Sequence, residues 1–283
     1  VKEAMKLKAQ VKKIAVEKNI PAQAVLQTVM FERLLKRISM SQYKDKVILK
    51  GGLLIAALVG LGNRTTMDMD ATLRRFPFEE AAIIAAISEI CAIDAEDATS
   101  FSFISAAAIR DDDEYGGFRI VLEAVYDTIK TPLKIDVTTG DAITPRAIVY
   151  KYHTIFDGSV LNICAYNPET VLAEKYETII RRGKYNTRAR DFYDMYMILR
   201  TKGDNINGDL LKRAIHATAK RRKSLEILND SGNTIAQISE SVEMRRQWEK
   251  YCEQFAYARG IEFDKIIDVI LTVDALLKKT GDD

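Results

Sequence analysis

In "KGGLLIAALVGLGNRTTMDMDATL" (residues 50–73) the glycine pair Gly51-Gly52 precedes an uncharged run, and two carboxylates follow at Asp68 and Asp70. If residues 66–73 form a strand, side chains at i and i+2 share a face. Asp68 and Asp70 then project together, while Met67 and Met69 turn to the core. Two carboxylates side by side repel unless a cation lies between them. An all-oxygen donor set without His or Cys suits magnesium or manganese, and magnesium usually adds waters and phosphate oxygens. An isolated Asp-x-Asp also fits an ordinary exposed strand face paired with Lys or Arg.

Other residues add to this chemistry. A glycine pair between a strand and a helix lets backbone approach a ligand, and the N–H groups of the first helical turn favour an anion; a plain tight turn has the same sequence. "PLKIDVTTG" alternates, placing Leu133, Ile135 and Val137 on one side and Lys134, Asp136 and Thr138 on the other. Asp136 becomes a third metal-facing carboxylate if this strand lies beside the first. Clusters of this kind serve two-metal phosphoryl transfer. In "ETVLAEKYETIIRRGKYNTRARDFYD" Lys175 lies on a helix from which its ammonium could reach a triphosphate, and Arg190, Asp191 and Asp194 open the next helix. An ordinary helical hairpin with surface ion pairs fits the same spacing.

These residues need elements to hold them. Helical periodicity covers 1–18 and 22–41, with Val25, Val29, Leu34, Leu35 and Ile38 on one stripe and Arg33, Lys36 and Arg37 pointing elsewhere. A short strand at 46–50 leads into a helix ended by Gly60 and Gly62, and a further helix starts at Pro77. Between 100 and 166 the period falls to two, giving strands at 101–109, 117–126, 133–140, 147–156 and 161–166. The acidic run Asp111–Glu114 reads as a solvated hairpin tip without a role. Helices follow at 168–183, 188–202, 207–222, 233–258 and 261–279. The expected organisation is a mixed α+β domain over 1–167 and an all-α domain over 168–283.

Charge alternates along the 283 residues. Residues 1–50 carry 12 Lys and Arg against 4 Asp and Glu, residues 51–174 carry 9 against 19, residues 175–223 carry 14 against 5, and the remainder 7 against 12. An acidic centre between basic segments fits a cation together with a polyanion, and Arg181, Arg182, Arg190, Arg221, Arg222 and Lys223 are the candidate nucleic-acid contacts. Solvated helix faces explain either basic segment alone. Three scattered cysteines, Cys91, Cys164 and Cys252, argue against a disulfide framework or a zinc site and suit a reducing cytoplasm. The charged first residues do not read as a signal peptide, and no apolar run approaches the roughly 20 residues of a membrane helix. His153 and His216 lack partner motifs.

Taken in order, Lys50-Gly51-Gly52, Arg64-x-Thr66-x-Asp68-x-Asp70, Asp136, Glu174-Lys175 and Arg190-Asp191-x-x-Asp194 resemble the AbiEii/AbiGii toxin family. That family is a branch of the DNA polymerase β-like nucleotidyltransferase superfamily that includes the mycobacterial MenT toxins. The resemblance implies a polymerase β-like mixed sheet with flanking helices. It implies a bacterial toxin of a toxin–antitoxin or abortive-infection (phage defence) system, acting with Mg2+ (or Mn2+) to move nucleotides from an NTP to an RNA acceptor, the tRNA 3′ end, and so block translation. A cognate antitoxin is expected beside a monomeric, cytoplasmic toxin. By the same resemblance Lys50, Gly51, Gly52, Arg64, Thr66, Lys175 and Asp191 bind the nucleotide, Asp68, Asp70 and Asp136 hold metal, and Asp68, Asp70, Asp136, Lys175 and Asp191 form the catalytic set. Asp136 is expected to help deprotonate the attacking hydroxyl. Leu53 departs from the family's usual Thr or Ser after the glycines. The rival readings are transfer to a protein or small molecule, and a catalytically silent protein that binds a partner.

Overall fold

The apolar run after the glycine pair forms a short helix because nearly every side of it is covered. Leu53, Leu54 and Ile55 are fully buried, and a helix apolar all round has to lie inside. The computed structural model describes residues 2–109 and 116–278, so the acidic run at 111–114 lies outside the described residues. The chain divides into two compact units. The first comprises Val1–Asp141 and Ala147–Tyr166, the second Ala142–Arg146 and Asn167–Asp283.

The first unit runs α1 (Lys2–Lys18), α2 (Ala22–Met40), β1 (Val47–Lys50), α3 (Gly51–Val59), β2 (Asp68–Leu73), α4 (Glu80–Cys91), β3 (Thr99–Ile109), β4 (Gly117–Tyr126), β5 (Ile129–Thr139), β6 (Ile148–His153) and β7 (Val160–Ala165). The strands form one mixed sheet in the order β3-β4-β5-β2-β1-β7-β6. β2 pairs antiparallel with β1 and parallel with β5, and β5 pairs antiparallel with β4.

The alternation read in the sequence sets the faces of these strands. Leu133, Ile135 and Val137 are buried, while Lys134 is exposed and Asp136 and Thr138 are half-buried. β5 begins earlier than the sequence suggests, at Ile129, and contains Pro132. The β2 ladder starts only at the Asp68–Lys134 pair, so at Pro132 the missing N–H costs no bond to β2. Gln27, buried in α2, donates from Nε2 to the carbonyls of Met67 (3.2 Å) and Pro132 (2.9 Å), fixing the chain just before Asp68. Met67 itself is 45% exposed rather than turned to the core. It precedes the first paired residue of β2, where the Thr66 hydroxyl donates to the Asp68 carbonyl (3.0 Å) and strand alternation does not yet hold.

The cations of α2 also differ from expectation. Arg37 is 2% exposed and holds Asp97 with two bonds of 2.8 and 2.9 Å. Arg33 donates to the Thr99 hydroxyl and Lys36 to the Ala95 carbonyl. These three side chains tie α2 to the start of β3 and are not a free basic face.

The second unit is helical: α5 (Pro168–Arg182), α6 (Ala189–Lys202), α7 (Gly208–Arg221), α8 (Ser231–Glu240), α9 (Val242–Gln254) and α10 (Phe263–Lys278). The single helix expected over 233–258 is two. Ser241 is extended, and its side chain accepts from the Met244 N–H, capping α9. Asn167 caps α5 in the same way through Thr170 N–H at 2.7 Å, and its Nδ2 donates to the Thr144 carbonyl, which ties the segment 142–146 to this unit.

One buried acid links sheet to helix in the first unit. Glu32 of α2, 5% exposed, accepts from Tyr152 Oη at 3.3 Å and from Ile155 N–H at 3.1 Å. Burial pushes its carboxyl up to about 8, against the opposing effect of these hydrogen bonds. A raised acid is protonated in both folded and unfolded chains below the ordinary glutamate value, and stability is lost as pH rises through the folded value. Glu32→Gln is therefore expected to stabilise the protein by a few kcal/mol at pH 8.5 and by almost nothing at pH 4.5. Denaturant melts of both proteins across this range check it, and a pH-independent difference refutes it.

Candidate active site

Four strands bring a row of charges into register. Lys50 of β1 faces Asp70 of β2, Asp70 faces Asp136 of β5, and Asp136 faces Arg119 of β4. Asp68 lies two residues before Asp70 on the same side of β2. The acidic pair is thus flanked by a cation at each end of the row.

At the near end, Gly51 opens α3 with φ +63°, and a Cβ there would meet Asp70 Oδ2 at 2.0 Å. Only glycine allows the carboxylate this close to the backbone. The Gly52 N–H donates to the same oxygen at 3.3 Å, so Asp70 sits against the positive end of the helix. A Cβ on Gly52 would lie 2.6 Å from the Thr66 hydroxyl. Arg64 is buried at 2% exposure beside this turn and donates to the Thr65 carbonyl. Leu53, which stands where the resembled family usually has Thr or Ser, is a core residue.

Lys50 turns its ammonium to Asp141 Oδ2 (2.6 Å) and the Thr138 hydroxyl (2.8 Å). Tyr166 Oη also donates to Asp141, at 2.8 Å. Burial would raise the Asp141 carboxyl, but the Lys50 charge and the hydrogen bonds from Lys50, Tyr166 and Thr138 hold it below the usual carboxylate range. At the far end, Arg119 grips Asp136 with both arms, Nε to Oδ1 at 2.7 Å and Nη2 to Oδ2 at 2.6 Å. The hydrogen bond and charge of Asp136 push the guanidinium value up, with Asp68 and Asp70 adding to it.

The expectation that Asp136 completes a three-carboxylate metal set meets this arrangement. Each of its oxygens accepts a bond from Arg119, and among the described residues no group of three His, Cys, Asp or Glu side chains is arranged to hold a metal ion. Asp68 and Asp70 still suit magnesium, which uses one or two carboxylates and completes its shell with water and phosphate.

In the helical unit, Lys175 Nζ lies 2.5 Å from Asp191 Oδ1 and 3.3 Å from Asp194 Oδ2. Asp194 is fully buried, so this is an internal ion triad rather than a surface pair. Glu177, also fully buried, accepts from Arg222 (2.6 Å), Arg181 (3.0 Å) and Ser224 (2.7 Å). Arg181 and Arg222 thus serve the helix packing. Arg182 and Arg221 are half-buried, whereas Arg190 and Lys223 are exposed.

Residues 33–269 match the family described as nucleotidyl transferase AbiEii toxin, type IV toxin–antitoxin system. The chain belongs to the AbiEii toxin family. Two Helicobacter pylori crystal structures are similar in fold. JHP933 is 15% identical with a TM-score of 0.50, over 91% of this chain and 94% of that one. A candidate nucleotidyltransferase is 15% identical with a TM-score of 0.48, over 93% of this chain and all of that one. No curated protein matches. Membership of the AbiEii family makes the protein a toxin–antitoxin nucleotidyltransferase and implies an antitoxin partner. No helix among the described residues is long and apolar enough to cross a membrane.

Sequence reasoning missed Arg119 and Asp141. Arg119 follows two unremarkable residues of a strand, and only the β4–β5 register exposes its partner. Asp141 follows Gly140 at the end of "DVTTGD", a position that reads as a turn.

Two stability predictions follow from the pairs. Asp141→Asn is expected to cost on the order of 3 kcal/mol at pH 7, as for other broken buried pairs. Because the folded value is depressed, that difference is fully present above the ordinary aspartate value of about 4 and fades as pH falls through the lower folded value. Lys175→Met should likewise cost on the order of 3 kcal/mol by leaving Asp191 and Asp194 without their ammonium, and Lys175→Arg should recover most of it. Chemical denaturation of each variant is the measurement. Full stability in Lys175→Met would mean that the triad contributes nothing.

Proposed function

We propose that the protein transfers a nucleotide from an NTP to the 3′ end of an RNA, with transfer RNA the acceptor, in a magnesium- or manganese-dependent reaction that blocks translation. The observation that carries this reading is the shared face of Asp68 and Asp70 at the glycine-opened N-terminus of α3. The acceptor 3′ oxygen bonds to the α-phosphorus, its proton passes to solvent water, the bond to the bridging oxygen breaks, and pyrophosphate leaves with that oxygen. Asp68 and Asp70 would hold the divalent ion, whose chemistry is to neutralise the phosphates and polarise the reacting phosphorus. Gly51 and Gly52 form the turn whose first-turn N–H groups would face the triphosphate, Arg64 and Thr66 support that turn, and Lys50 bonds to Asp141. The resemblance gives Lys175 and Asp191 a further part in catalysis, and Lys175→Arg, which keeps the positive charge, tests it apart from stability.

An extended polyanion is supported by the stretch 184–190 in the helical unit. Lys184, Arg188 and Arg190 are exposed, and Tyr185 is 80% exposed among them. Cations that neutralise phosphates and an aromatic ring on which a base can stack are what single-stranded RNA uses.

Incubation with α-labelled triphosphates, magnesium and total RNA is the test. Label is expected in the transfer RNA fraction, and Asp70→Ala should reduce it about a hundred- to a thousandfold, the scale at which a lost electrostatic catalyst acts, while the protein stays folded. Label on protein or on a small molecule would replace the RNA reading, and no label anywhere would support a silent partner-binding protein. Lys184→Glu with Arg190→Glu should weaken RNA binding and flatten its dependence on salt by about two counterions. Arg222 is unsuitable for such a reversal because it holds Glu177.

A further inference from the structure

Arg119 is the cation that the proposed chemistry does not use. Its contact with Asp136 is bidentate, the geometry in which a guanidinium matches a carboxylate best, and arginine keeps its charge at any working pH. A two-metal site needs carboxylate oxygens open to each ion. Here each oxygen of the third carboxylate already accepts a short bond from Arg119, with which a second ion would have to compete.

We propose that Arg119 stands in for a second metal ion: the site takes one divalent cation at Asp68 and Asp70, and Arg119 keeps Asp136 out of the ligand set. The inference rests on the nucleotidyltransferase reading above. Arg119 is then a positioning residue that acts through Asp136. Its guanidinium fixes the orientation of that carboxylate beside Asp70 and supplies a permanent positive charge that does not depend on metal concentration. Removing it exposes Asp136 to a second ion.

Manganese binding to the full chain, followed by electron paramagnetic resonance with a saturating non-hydrolysable triphosphate analogue, reads this directly. Beyond the ions the analogue binds alone, wild type is expected to hold one ion per chain and Arg119→Gln two. Arg119→Gln with Asp136→Asn should return to one, because the extra ion needs the freed carboxylate. Asp136→Asn alone should leave the wild-type count at one, which keeps the test decisive if Arg119→Gln does not fold. Two ions in wild type, loss of an ion in Asp136→Asn, or one ion in a folded Arg119→Gln would each overturn the proposal. The label-transfer assay on wild type separates the readings. Transfer by an enzyme that holds two ions defeats this inference alone, whereas neither transfer nor manganese binding defeats both.

Discussion

The repulsion between Asp70 and Asp136 organises the centre of the sheet. The parallel pairing of β2 with β5 sets these carboxylates directly opposite each other. Like charges in that position oppose the pairing they sit on. The sheet tolerates them because each has its own answer. Asp136 is gripped by Arg119, and Asp70 lies against the N-terminus of α3 with the Gly52 N–H on its Oδ2. The two short charge-assisted bonds from the guanidinium fix Asp136, and the Gly52 amide places Asp70 at the turn that opens α3.

The glycine pair is explained by the same carboxylate. Glycine before a helix is commonly attributed to the ligand that will approach it. At Gly51 the nearest demand comes from the protein itself, because Asp70 Oδ2 occupies the space of any Cβ. At Gly52 the demand comes from Thr66. The turn is therefore shaped by the strand that carries the acids, and α3, buried on nearly all sides, holds the turn against that strand. Site geometry and core packing are one constraint here, which is why Leu53 can replace a hydroxyl residue: its position faces the core.

Much of this was legible in the chain. The alternation in "PLKIDVTTG" gave the faces of β5 correctly, and the Asp68–Asp70 spacing gave a shared face. What periodicity cannot carry is register. Arg119 and Asp136 lie 17 positions apart, and nothing local says that these two residues rather than their neighbours face each other across β4 and β5. The same holds for Lys50 and Asp141, 91 positions apart. Local rules failed at Met67, just before the ladder begins, and at residues 233–258, where the Ser241 cap lies hidden inside an otherwise helical pattern.

Counting charges along the sequence overstates the basic surface for the same reason. Arg37 is consumed by Asp97, and Arg222 and Arg181 by Glu177. Each of these pairs includes a nearly or fully buried member, so removing the cation would strand a charge in a region poor in water. Such cations have little freedom to leave for a phosphate, because the gain would have to exceed that cost. Lys184, Arg188 and Arg190 face solvent instead, and placing them on a polyanion would release counterions without opening the fold. The stretch between α5 and the start of α6 thus carries exposed cations, in contrast to Arg37, Arg181 and Arg222, which ion pairs tie into the packing.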